Sequence, residues 1–117
     1  MANQFRSTII MQRPNTSVEY PLVSEELNNY HQITYRNTGK ILAKTSHRSK
    51  DQLTLVTVIT FASQEDYEEF RADSIVRDGA TIRDQYLADN GFTLTILLQL
   101  LDDTGHPLTT QVMSKTY

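Results

Sequence analysis

The chain of 117 residues contains no cysteine and no tryptophan, only four glycines and three prolines, and fewer cationic than anionic side chains. Without cysteine there are no disulfides, thiolate nucleophiles, thiolate metal sites or iron–sulfur clusters, and the redox compartment is left open. Eleven Lys and Arg against fourteen Asp and Glu give a net charge of −3, which argues against a general nucleic-acid or anionic-membrane surface. So little Gly and Pro leaves no flexible linker or low-complexity tract. Long apolar runs are also missing. The densest, Phe92 to Leu101, is interrupted by Thr93, Thr95 and Gln99 and falls short of the roughly 18 residues of a spanning helix. The opening stretch MANQFRSTIIMQRP has no apolar segment of signal-peptide length. The expectation is a cytoplasmic protein with no membrane partner, one domain over residues 1–117, and 102–117 as a C-terminal extension.

What is present is alternation. Phe5, Ser7, Ile9 and Met11 form one row of a strand, and Arg6, Thr8, Ile10 and Gln12 the other. Leu53 to Phe61 and Phe92 to Leu101 are apolar or β-branched on both rows, as in strands buried on both faces. Ile41 to Arg48 is more polar, as an edge strand should be. Ser24 caps a helix of about four turns that Gly39 terminates, with Leu27, Tyr30 and Ile33 inward and Tyr35 pointing away. Ser63 caps the next helical region. There Tyr67 and Phe70 share one stripe, but Ile75, Gly79, Ile82 and Tyr86 form another well around the helix, so a break is expected near Asp73 and Ser74. Leu108 to Met113 reads as a short fifth strand or a mobile tail.

The order β-α-β-β-α-β predicts an α+β, ferredoxin-like antiparallel sheet with its helices on one face. Strands apolar on both rows then need cover on the second face, and a second copy packed sheet against sheet supplies it. The stretch FASQEDYEEF, with this element order, resembles the corresponding junction in the dimeric α/β-barrel superfamily, of the antibiotic-biosynthesis-monooxygenase-like or stress-responsive type. The resemblance implies a homodimeric barrel acting as an oxygenase or isomerase. The absence of histidine between Gln64 and Asp89 departs from the heme-degrading members, which place an axial histidine there, and no cofactor is expected.

No metal-binding or nucleophile motif links His31, His47 and His106. His106 lies in the turn sequence DDTGHP and His47 on the polar edge strand. His31 flanks the buried helix face, which makes it the acid/base candidate. Tyr20, in an irregular crossover, is the second catalytic candidate. Tyr30, Tyr67 and Tyr86 are candidates to line a pocket, with hydroxyls that could orient an oxygenated ligand, although ordinary core-edge packing at helical spacing is the simpler reading of all three. Arg36, Lys40, Lys44, Arg48 and Lys50 form an arm without acidic residues, which lacks the aromatic interleaving of a nucleic-acid site. Two function classes remain: a cofactor-independent oxygenase or isomerase acting on a small apolar, partly oxygenated metabolite, and a non-catalytic ligand-binding or assembly dimer.

Overall fold

Five strands form one antiparallel sheet in the order β2-β3-β1-β4-β5. The structure, a computed structural model, describes residues 3–117. Strand β1 (Phe5–Gln12) lies at the centre, between β3 (Thr54–Phe61) and β4 (Thr93–Leu101), while β2 (Ile41–Arg48) and β5 (Pro107–Thr116) are the edges. The first four strands thus take the order expected of a split β-α-β arrangement. The C-terminal stretch is not a loose tail, because β5 pairs with β4 from Pro107 to Thr116.

The expectation of a barrel is overturned. The sheet is open, with β2 and β5 each paired on one side only. The likeness to monooxygenase-like barrel proteins, drawn from the FASQEDYEEF junction, loses its architectural support with it. A strand leading into an acidic, serine-capped helix recurs wherever Ser63 can accept the Asp66 N–H, as it does here at 3.1 Å.

Helices α1 (Glu25–His31), α2 (Gln64–Ala72) and α3 (Ser74–Asp89) cover one face. The covered row is Phe5, Ile59, Phe61 and Leu98 toward one end and Met11, Leu94 and Phe92 toward the other. Register places Ile10 opposite Val56 and Thr8 opposite Leu97 on the other face, where no element of the described residues covers them.

The break between the second and third helices falls where the stripe shift put it. Asp73 has extended backbone, with φ −65° and ψ 122°, and its carboxylate caps α3 by accepting the Ile75 N–H at 2.9 Å. Two details of the helices differ from the sequence pattern. Helix α1 gives way to a π turn over Gln32–Arg36, whose i→i+5 hydrogen bonding brings residues five apart to nearly the same side. Tyr35 therefore joins Tyr30 inside and is 1% exposed, while Ile33 is 66% exposed. In α3 the inward residues are Val76 and Leu87, and Ile82 is 73% exposed. Gly79, at the border between the two sides, meets α1, and a Cβ there would collide with Leu27 Cδ2. The smallest residue faces α1, and the larger isoleucines turn outward.

Candidate functional site

Helix α2 packs aromatic side chains onto one half of the sheet. Phe70 meets Tyr35 edge-on at 4.9 Å, and Tyr67 stacks on Phe5 at 4.6 Å. The chain then turns at Asp73, and α3 buries Leu87 in a cluster with Phe92 and Leu94 near its C-terminal end while its earlier turns stand off from the β4 and β5 side. The result is a groove of about 1110 Å³ between α2, α3 and that side of the sheet. Ile9, Ile96, Leu98 and Met113 contribute apolar floor, and Ser7 and Thr109 contribute hydroxyls. Arg71, Arg77, Asp84 and Lys115 stand among its charged lining groups. A mostly apolar concavity with a few polar groups is the usual form of a small-molecule site, and this volume lies just above the usual range for one.

The expected site residues do not converge on the groove. Tyr67 is among the residues that line it. Tyr30 is not: its hydroxyl donates to Asp73 Oδ2 at 2.5 Å, and Tyr35 donates to the same oxygen at 2.6 Å. The hydrogen bond to Asp73 raises the Tyr30 pKa, with burial adding to it. Burial first, then the bond to Asp73, raises that of Tyr35. Burial pulls the Asp73 carboxyl upward, but the two tyrosine hydroxyls and the N–H groups of Ile75 and Val76 outweigh it and hold the group below its ordinary value. This trio locks the π turn to the α2–α3 junction and presents no free hydroxyl to a ligand.

Tyr86 donates to the Glu19 carbonyl at 2.6 Å and ties α3 to the crossover. Tyr20 is 5% exposed and donates to the Gln52 carbonyl at 2.9 Å. The guanidinium carbons of Arg13 and Arg48 lie 4.5 and 5.0 Å from its ring centroid, a pair of cation–π contacts. Buried Arg13 also donates to the carbonyls of Gln52 and Val18. Tyr20 is thus placed to hold the crossover onto the β2–β3 turn.

His31 borders a separate cavity of about 170 Å³, beneath α1 and the π turn and beside β2. Its ring lies 5.1 Å from that of Phe70, and its Nε2 is buried without a hydrogen-bond partner. Burial, reinforced by the Lys44 charge and opposed by Asp73, lowers its pKa. Lys44 is lowered as well, by burial and then by Arg36. His47 is exposed on the bare side of β2. His106 sits in a turn that Asp102 organises, accepting from the N–H groups of Thr104 and His106.

The chain matches no family model, no curated protein and no solved structure. Among the described residues no group of three or more His, Asp or Glu side chains could hold a metal ion, and no helix is long and apolar enough to cross a membrane.

The sequence pattern missed Tyr35 and the central role of Asp73. An aspartate immediately before a helical run is a recognisable cap signal. Nothing in the spacing of Tyr30 and Tyr35 marks a π turn. The groove's Met113 lay in the stretch left between strand and tail.

Proposed function

We propose that this chain is a non-catalytic binding domain whose groove takes a small apolar, partly oxygenated ligand. The observation that carries this reading is the division of labour among the side chains. The groove offers an apolar floor with the Ser7 and Thr109 hydroxyls, whereas the two residues with acid/base promise, His31 and Tyr20, lie elsewhere. His31 borders the other cavity, and Tyr20 is engaged with Gln52 and two arginines. Besides Tyr67, which stacks on Phe5, a reaction in the groove would have only the charged lining groups for proton transfer. The cytoplasmic setting expected from the sequence goes with this reading.

Titration with 2-naphthol, followed by the methyl and amide resonances of Ile9, Ile96 and Met113, tests it. Saturable shifts confined to these residues are expected, and Ala80→Trp, which fills the groove from α3, should abolish them. Shifts that never saturate, or that survive Ala80→Trp, count against the groove.

The bare sheet face favours a second element of the function, a homodimer. Ile10, Val56, Val58 and Leu97 are half-buried there and Val112 is 59% exposed. Five strands of about eight residues project roughly 650 Å², close to the approximately 800 Å² per partner of a standard interface. Two such faces packed together make a sandwich of open sheets. Sedimentation at low micromolar concentration should give twice 13.4 kDa. Val56→Glu, which places a charge in the apolar row, should shift the equilibrium away from that species. A monomer for the unmodified chain at these concentrations removes the dimer and leaves the groove reading intact.

A further inference from the structure

The cavity beneath α1 and the π turn collects positive charge with no acidic side chain in its lining. His31 reaches it from α1, Arg36 from the π turn and Lys44 from β2, while Ile41, Ile59 and Phe70 supply apolar walls. Two ion pairs are formed among the described residues, Lys40 with Glu69 and Arg83 with Asp84, so neither Arg36 nor Lys44 takes part in one. The arm from Arg36 to Lys50 carries five basic residues. The other members find partners or solvent: Lys40 binds Glu69, Arg48 lies against Tyr20, and Lys50 is exposed. Only Arg36 and Lys44 are gathered at a concavity, and there the one buried unpartnered side-chain nitrogen of the described residues, His31 Nε2, joins them.

We propose that this cavity binds a small tetrahedral oxyanion, phosphate or a phosphoryl group, held by Lys44, Arg36 and His31. Three donors arriving from three separate elements suit an anion whose oxygens point in several directions. A planar carboxylate would be met by a single fork from one arginine. At about 170 Å³ the space is below that of drug-sized sites and fits a compact ion. The apolar walls lower the local dielectric and strengthen each charge-assisted hydrogen bond. Bound anion would also satisfy His31 Nε2, which becomes a donor when that nitrogen is protonated. The charges that reach His31 are Lys44 and Asp73, with Arg36 beside Lys44. An anion among them favours the imidazolium. This site is separate from the groove, and the inference does not rest on the ligand proposed there.

The test is an NMR titration of the full chain with inorganic phosphate, and in parallel with phenyl phosphate, acetate and chloride at matched ionic strength. The expected result is a saturable shift of the His31 ring protons, with an upward move of the His31 titration midpoint and no such change at His106. Lys44→Gln should weaken the affinity by about tenfold or more, and Arg36→Gln by several-fold. Arg36 is exposed at the rim, so its variant carries the test even if the Lys44 change disturbs β2. Binding of inorganic phosphate alone assigns a free ion, and equal binding of phenyl phosphate assigns a phosphoryl group on a larger molecule. A response that chloride reproduces, tighter binding of acetate, or affinity unchanged in both variants would overturn the site.

Discussion

The two halves of the helix-covered sheet face are built differently. Over β2, β3 and the start of β1, rings pack on rings. Phe61 lies 5.4 Å from both Tyr67 and Phe70 and is fully buried, and Asp73 ties Tyr30 and Tyr35 together beside them. Over β4 and β5 the floor consists of aliphatic residues and Met113, and α3 leaves it open as a groove. The comparison teaches that one turn at Asp73 does two jobs. It lets α2 close the aromatic half, and it diverts α3 so that the aliphatic half stays accessible. The aromatic cluster stands on one side and the open groove on the other, with a second buried cluster of Met11, Tyr20, Leu87, Phe92 and Leu94 closing the far end of the face.

If that division holds, truncations on the two sides should differ sharply. Phe61→Ala should cost about 4 kcal/mol of unfolding free energy, because it removes a fully buried ring from a close-packed cluster. Met113→Ala at the half-buried groove floor should cost about 1 kcal/mol. Urea denaturation of both variants checks this, and equal losses would erase the distinction.

Asp73→Ala should follow at about 1–2 kcal/mol, since it removes the α3 cap and the shared acceptor of the Tyr35 and Tyr30 hydroxyls. Asp73→Asn keeps an acceptor for the cap but loses the charge that both tyrosines donate to, so its loss should be smaller. If denaturation shows both variants as stable as the parent, Asp73 is not the hinge described above.

The smallest effect expected is in pH dependence. The His31 pKa is lowered in the folded chain, so the unfolded chain takes up a proton first, near the ordinary value of about 6.5. Stability from this group is therefore full above about pH 7 and declines as the pH falls through 6. The Asp73 carboxyl, also lowered, acts in a more acidic window. Its contribution is present above the ordinary carboxylate range and is lost as the pH falls through the still lower folded value. In phosphate-free buffer, His31→Gln should flatten the decline between pH 7 and 5 and leave the acid limb in place. An unaltered profile would show that His31 does not experience the burial described.

How much of this was legible in the chain varies from element to element. The strands followed from alternation, since Phe5, Ile9 and Met11 must share a face whatever surrounds them. The helix break followed from two stripes too far apart around one axis, and Asp73 lies where the gap required. The burial of Tyr35 did not follow, because a π turn changes the angular step and leaves no mark in the pattern of apolar residues. The inward face of α3 was misread for a related reason. Ile75 and Ile82 look like a core stripe, but α3 is turned so that Val76 and Leu87 go inward, and of that stripe Gly79 is the residue that meets Leu27 of α1. Pattern reading weighs hydrophobicity, while helix contact here is set by the smallness of a residue.

The sequence by itself determined the order of the first four strands and the helices between them, the apolar row of β1, the serine caps of α1 and α2 and the exclusion of thiol chemistry. These are local matters, fixed by side-chain periodicity and by what a backbone N–H can bond. Only the tertiary structure decided that the sheet stays open, that the acid/base candidates lie apart from the groove, and that His31, Arg36 and Lys44 meet at one cavity. Each depends on where separate elements come to rest against one another. That placement is set by packing between surfaces far apart in the chain, for which a linear pattern carries no coordinate.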